Sequence, residues 1–282
     1  MTDEPKDTAS RQFMAAHYDA AVDGEWTRLT RDSYNELEYM TTMHLLRRYL
    51  PSEGSILDAG GGPGRYALEL CRTGYDVALV DLSPGCISKA KAVFEEEPEV
   101  VQKRLLECRV EDLCDLSHFP ADCFDATLCL GGPLAHLPDP ADRRQAVSEL
   151  VRVTRPGGII FLTGIGALAV LRTMIRLSSY ELVDGATETF FEDGNSPGPK
   201  LMLWHWFRAD ELRTLAESCG LETVTMAGLE GLSTGLPEAT CALREHADRW
   251  QRWCEILLAT AEEPAVVDMA EHLLYIGRKG EA

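Results

Sequence analysis

Apolar residues along this chain follow helical spacing first and strand-like runs later. From Phe13 to Leu50 they recur at roughly helical spacing with two interruptions, which predicts two or three N-terminal helices, while residues 1–10 lack periodicity and are expected to fray. Ser33-Tyr-Asn-Glu36 has the form of a capping box, so a helix is expected from Tyr34 to Tyr49, stopped by Pro51-Ser-Glu-Gly54. Short apolar runs then alternate with helical segments. Strands are expected at Ser55–Asp58, Asp76–Asp81, Leu105–Val110, Phe124–Leu130 and Gly158–Thr163, the last after the turn Arg155-Pro-Gly-Gly158. Helices are expected to run on to about Thr73 and about Glu96, and over Asp139–Thr154.

This βαβ rhythm suits a parallel, doubly wound sheet whose ligand sits at the carboxyl ends of the strands, where the strand order reverses. Residues 167–203 break the rhythm with an apolar helical piece, Leu168 to Leu177, and the loop Asp193-Gly-Asn-Ser-Pro-Gly-Pro199, which reads as an inserted lid. A helix over Ala209–Cys219, a strand at Leu221–Ala227, a helix around His246–Thr260 and a strand at His272–Gly277 complete seven strands. The expected organisation is a helical cap over residues 1–50, an α/β core over 51–166, the lid over 167–203, and the rest of the same core over 204–282.

Composition narrows the function. The 282 residues carry a formal charge of −19, which repels phosphate backbones and argues against nucleic acid as a partner. No apolar stretch is long enough to cross a bilayer and the first ten residues do not resemble a signal, so a cytoplasmic protein without membrane attachment is expected, as monomer or homodimer. The nine cysteines show no metal-ligand spacing and read as reduced, mostly buried thiols; no metal site is expected.

The chemistry concentrates in Ile56-Leu-Asp-Ala-Gly-Gly-Gly-Pro-Gly-Arg-Tyr-Ala-Leu-Glu-Leu70, an apolar strand running through an acid into four glycines and a helix. Such a loop serves dinucleotides too, with the pyrophosphate at the helix N-terminus. Asp58 separates the two readings. Beside a pyrophosphate its carboxylate is repulsive, whereas a ligand with an ammonium and a sulfonium welcomes it. Asp81, ending the next strand, stands where a carboxylate accepts both hydroxyls of a ribose.

Taken together, Asp58-Ala-Gly-Gly-Gly-Pro-Gly64, Asp81-Leu-Ser-Pro84, Glu111-Asp112-Leu113, Phe124-Asp125 and Arg155-Pro-Gly-Gly158 resemble, in order and spacing, the motifs of class I S-adenosylmethionine-dependent methyltransferases, over residues 52 to 163. The resemblance implies a Rossmann-like, doubly wound seven-stranded sheet with S-adenosylmethionine as cofactor and S-adenosylhomocysteine as product. It implies that Gly60, Gly62 and Gly64 line the methionine moiety, with Asp58 near its amino group and Asp81 on the ribose. Leu82 would pack on adenine, Asp112 and Leu113 would read the adenine edge, and Leu130 and Gly131 would lie beside the methyl group. Glu111 is an alternative to Asp112. Asp125 is expected to be structural.

The segment His17-Tyr-Asp19 through Glu25-Trp-Thr-Arg28 resembles the lid helices of small-molecule methyltransferases, which makes a small-molecule acceptor the expected partner. Tyr18, Trp26 and Arg28, with Trp204 and His205 of Trp204-His205-Trp206, are candidate acceptor contacts. Trp204 and Trp206 read equally as alternate residues of a strand that packs the lid, with His205 on the opposite face as a ligand contact or a surface residue. His136 is the candidate general base for an acceptor that must lose a proton. Two other readings are a protein that binds the cofactor without catalysis, and an NAD-dependent oxidoreductase with pyrophosphate space beside Gly60.

Overall fold

The computed structural model describes residues 4–177, 179, 188–196 and 204–281. The seven strands are β1 (Ser55–Ala59), β2 (Asp76–Asp81), β3 (Leu105–Val110), β4 (Phe124–Cys129), β5 (Thr154–Ile165), β6 (Leu221–Gly228) and β7 (His272–Lys279), in sheet order β3-β2-β1-β4-β5-β7-β6. Strands β1 to β5 run parallel, and β7 lies antiparallel to both β5 and β6. The order reverses between β1 and β4, which opens a crevice at their carboxyl ends.

Strands β1 and β2 are apolar on consecutive positions because the sheet is covered on both faces. Ile56, Val77 and Leu79 enter one core, packed by α2 (Asn35–Tyr49), α3 (Arg65–Thr73) and α4 (Pro84–Glu95). Leu57, Ala78 and Val80 enter the other, packed by α6 (Pro140–Val153) and α9 (Ala209–Ser218). Local signals set the helix starts. Ser83 Oγ accepts from the Cys86 amide at 3.0 Å and Asp139 Oδ1 from the Ala141 amide at 2.8 Å, each before a proline in the first turn.

Several expectations are corrected. The first helix, α1 (Glu4–Arg28), includes residues expected to fray, because Arg11 and Asp19 tie it to the core. Helix α2 is capped by Asp32 rather than Ser33: Asp32 Oδ1 accepts from the Tyr34 and Asn35 amides at 3.0 and 2.9 Å. Strand β5 begins at Thr154, so Arg155-Pro-Gly-Gly158 lies inside it as an irregularity where the register with β4 shifts from Phe124↔Thr154 to Ala126↔Ile159. Asp125 pins this region, accepting from the Ser55 amide at 2.7 Å and pairing with Arg155.

The region of the expected lid contains α7 (Ala167–Leu177) and α8 (Glu188–Glu192); Pro197 to Pro199 of its loop lie outside the described residues. A short helix α5 (Glu99–Gln102) precedes β3, and α10 (Pro237–Leu243), α11 (Ala247–Thr260) and α12 (Pro264–Met269) lead into β7. Among the described residues no helix is long and apolar enough to cross a membrane. The nine cysteines are unpaired, four of them buried and the rest partly so.

Candidate active site

A cavity of about 680 Å³ lies where the strand order reverses, roofed by α1. Its volume falls in the range of ligand pockets. The core side is formed by Gly60, Gly61, Gly62, Asp81, Leu82, Asp112, Leu113, Leu130, Gly131 and His136, and α1 contributes Arg11, Met14, Tyr18, Glu25 and Arg28.

The glycine turn is folded onto the neighbouring strand. The Gly60 and Gly61 amides both donate to Val80 O, at 2.8 and 3.2 Å, and the Gly62 amide donates to Asp81 Oδ2 at 2.8 Å. Gly60 adopts φ +72, and a Cβ there would meet Pro133 at 2.6 Å, so both backbone and space demand glycine. Gly64 is set back from the cavity against Leu79 and Ala90, where it starts α3.

Asp58 lies beneath this turn. It is fully buried, a Cβ on Gly61 would come 2.6 Å from its Oδ2, and neither of its oxygens meets a hydrogen-bond partner. Burial first, and then the nearby Asp81 carboxylate, push its pKa up to about 7, against a weak pull from the Ala67 amide. Asp81 is also raised by burial, opposed by the Ser83 and Gly62 amides that it accepts. Two carboxylates therefore stand at the ends of β1 and β2, and among the described residues no ion pair neutralises either. Asp112 accepts from the Cys114 amide at 2.9 Å and pairs with Arg11 at 2.9 Å, whereas Glu111 turns to Arg109 at 2.7 Å.

At the other end of the cavity, Tyr18 Oη lies 2.6 Å from His136 Nε2, and the Trp204 ring meets His136 edge-on at 4.4 Å. His136 Nδ1 is buried without a partner. Burial, with a smaller effect of His17, pulls the imidazole pKa down to about 4, and burial with the Glu25 and Asp81 charges raises that of Tyr18. Both groups are uncharged at neutral pH. Arg28 Nη2 lies 3.2 Å from where a Gly131 Cβ would stand. Its guanidinium is fixed by Glu38 through both Nη atoms, at 2.5 and 3.2 Å, and by Glu25 at 3.3 Å.

Behind Arg28, the buried Glu38 and Glu230 flank His272 Nδ1 at 3.7 and 2.5 Å. Burial works against a charge on His272, but the two carboxylates outweigh it and raise the pKa to about 9. Burial likewise opposes the Glu38 charge, and His272 and Arg28 overcome it. These two cations and two anions satisfy one another.

Besides Asp58 and Gly64, three acceptor-contact candidates stand outside the cavity lining. Trp26 packs against the core beside α3, with the Arg65 guanidinium 4.1 Å from its ring. Trp204 lies behind His136. His205 is not a surface residue: it is completely buried outside the cavity lining, with Nδ1 3.0 Å from Asn195 and Nε2 2.7 Å from Glu211. Two isolated bridges, His205 to Asn195 and Phe207 to Gly166, stand there among the described residues in place of the expected strand.

Sequence reading missed Arg11, Met14, Glu25 and Glu38. Arg11, Met14, Tyr18 and Glu25 are separated by three, four and seven residues, so a helix carried back through Arg11 places them on one face. Glu38 carries no such signal, because its partners lie far off in sequence.

The sequence and fold have known counterparts. Residues 57–162 match the family model described as a methyltransferase domain. The ubiquinone biosynthesis O-methyltransferase of Alkalilimnicola ehrlichii is 35% identical over 175 residues, 58% of this chain and 65% of that protein. The tRNA 5-carboxymethoxyuridine methyltransferase of Escherichia coli is 28% identical over 133 residues, 47% of this chain. The chain spans about half the length of that relative, 48%. A SAM-dependent methyltransferase structure from Methanosarcina mazei superposes with a TM-score of 0.59 at 22% identity, covering 84% of this chain and 98% of that one. The match over residues 57–162 and the shared fold make this chain similar to SAM-dependent methyltransferases.

Proposed function

We propose that this protein transfers the methyl group of S-adenosylmethionine to a small-molecule acceptor bound between α1 and the sheet. The observation that carries this reading is Asp58, a fully buried carboxylate without a hydrogen-bond partner beneath the glycine turn. A buried unpaired carboxylate is costly. A ligand that brings positive charge to this end of β1 offsets that cost, whereas a pyrophosphate adds to it.

In this reading Gly60 and Gly62 flank the methionine moiety and Gly64 shapes the turn. Asp58 draws the amino group, directly or through water, and Asp81 accepts the ribose hydroxyls. Leu82 packs on adenine, Asp112 and Leu113 recognise its edge, and Leu130 and Gly131 lie beside the methyl group. When bound, the cofactor supplies an electrophilic methyl group for in-line displacement, so orienting the acceptor and excluding water provide much of the rate.

Tyr18 and Arg28 are the acceptor contacts. Trp204 and His205 act from behind, the first by packing His136 and the second by tying Asn195 to Glu211, while Trp26 supports α1. His136 Nε2 is engaged by Tyr18, so a proton released by the acceptor reaches the imidazole through the Tyr18 hydroxyl: it passes to Tyr18 Oη as the tyrosine proton passes to Nε2. The low basicity of His136 restricts this relay, and the pair suits an acceptor that is already nucleophilic and needs mainly alignment. Glu25, Glu111, Asp139 and Asp142 on the cavity wall, with the net charge of −19, favour a small neutral or cationic acceptor over a polynucleotide.

The test is to incubate the protein with S-adenosylmethionine and pools of catechols, amines and thiols, with bulk tRNA as a separate arm, and to follow S-adenosylhomocysteine by mass spectrometry. Product that depends on a small acceptor and is lost in Asp81→Ala is expected. Product with tRNA alone would overturn the acceptor class.

A further inference from the structure

Strand β3 is an edge of the sheet and, among the described residues, pairs with β2 alone. The Glu111 amide, just past its end, donates to Asp81 O on β2 at 3.1 Å. By the alternation of a strand, and beyond the slip in register with β2 at Leu106, where Val77↔Leu105 gives way to Ala78↔Glu107, the backbone groups of Cys108 and Val110 therefore face away from the sheet. No backbone hydrogen bond beyond the sheet ladder reaches them among the described residues. The edge is also apolar: Leu106 is 53% exposed, Val110 44%, and Val100 on the adjoining α5 69%. It carries no proline or lysine of the kind that shields edge strands, and from Glu107 to Val110 its register with β2 is regular.

We propose that β3 is the interface of a symmetric homodimer, in which two β3 strands pair antiparallel about Cys108 and join two sheets into one. The register follows from backbone parity and charge. A twofold axis at Glu107 sets Glu107 against its own copy. An axis at Arg109 sets Arg109 against its copy and Glu107 against Glu111. An axis at Cys108 sets Glu107 against Arg109 twice and Leu106 against Val110 twice, with the outward-facing backbone groups exchanging hydrogen bonds. Axes at Leu106 or Val110 shorten the overlap.

The segment Leu106-Glu-Cys-Arg-Val110 is thus complementary to its own reverse, as an isologous contact requires. The charged side chains are already aligned on one face. Arg109 Nε lies 2.7 Å from Glu111 Oε1, and Glu107 Oε2 lies 2.9 Å from His118 Nε2. Pairing extends this ladder across the twofold axis while the apolar residues meet on the other face.

Sedimentation velocity tests the interface without reference to activity. The wild-type protein is expected to sediment as a dimer, and Glu107→Arg and Arg109→Glu each as a monomer with an unchanged circular dichroism spectrum. Mixing the two monomeric variants restores a dimer, because every cross-strand charge again meets its opposite. The double variant Glu107→Arg/Arg109→Glu also dimerises, which separates loss of the interface from loss of the fold. A monomeric wild-type protein, a dimer that survives both single reversals, or a mixture that stays monomeric overturns the proposal.

Discussion

The Tyr18 hydroxyl and His136 Nε2 meet at 2.6 Å across 118 residues of sequence, joining α1 to the loop after β4. This bond places an uncharged pair on the cavity wall and, in the function proposed, makes Tyr18 the route by which a proton would reach His136. Tyr18→Phe is expected to lower kcat by about 10²-fold when the acceptor must lose a proton, with little change in cofactor affinity. Steady-state kinetics with calorimetry separates the two quantities, and a normal kcat would remove the pair from catalysis.

The pH profile gives a second check on the same pair. With its pKa pulled down to about 4, His136 stays neutral through the range where an ordinary histidine titrates. The rate is expected to show no inflection near pH 6.5 that His136→Gln removes. Such an inflection would mean that the imidazole is far more basic than its burial implies.

Asp58 predicts opposite effects on stability and binding. A folded pKa of about 7, above the ordinary carboxylate value, means that its stabilising contribution is full at low pH and is lost as pH rises through about 7. Asp58→Asn is therefore expected to raise the unfolding free energy of the ligand-free protein at pH 8, by up to about 4 kcal/mol from the 1.36 kcal/mol per pKa unit, and to weaken S-adenosylhomocysteine binding. In the wild type, affinity should rise with pH through about 7, because the ligand ammonium favours the ionised carboxylate. A pH-independent affinity would argue that Asp58 does not sense the ligand.

Asp81 accepts two backbone amides and retains acceptor capacity toward the cavity. Asp81→Ala should weaken S-adenosylhomocysteine binding by about 1–3 kcal/mol, the range for leaving a buried hydrogen-bonding group unsatisfied. Unchanged affinity in a titration would take Asp81 out of the site.

The network behind Arg28 sets stability at high pH. His272, raised to about 9, contributes stability that is complete below its ordinary pKa and is lost as pH rises through 9, about 3 kcal/mol from the pKa difference. Denaturant titrations between pH 7 and 10 should show this loss, and His272→Gln should flatten it. Glu38→Gln should cost about 1.5–3 kcal/mol, because it removes a charged hydrogen-bond partner from Arg28 and a carboxylate from beside His272. A neutral effect would mean that the network is open to water.

Much of the fold was legible because the strands are short apolar runs separated by glycine and proline turns. All seven strands lie where the sequence places them, β5 beginning four residues early because it absorbs a turn as an irregularity. The glycine turn, Asp58 and Asp81 were legible because adjacent residues on one strand and one turn carry the signal. Glu38 was not, since its role arises from Arg28, Glu230 and His272, which only the tertiary fold brings together. The burial of His205 was not legible, because alternation along an expected strand does not reveal a buried Asn195–His205–Glu211 contact. The first turns of α1 were missed because Arg11 is held by an ion pair with Asp112 rather than by an apolar stripe.

The central claim is that the cavity above Asp58 and Asp81 is a site for S-adenosylmethionine. Isothermal titration of the wild-type protein with S-adenosylhomocysteine, with NAD as the control ligand, tests it most directly. Binding of one S-adenosylhomocysteine per chain with no heat from NAD is the predicted result. Binding of NAD, or of neither ligand, would contradict it.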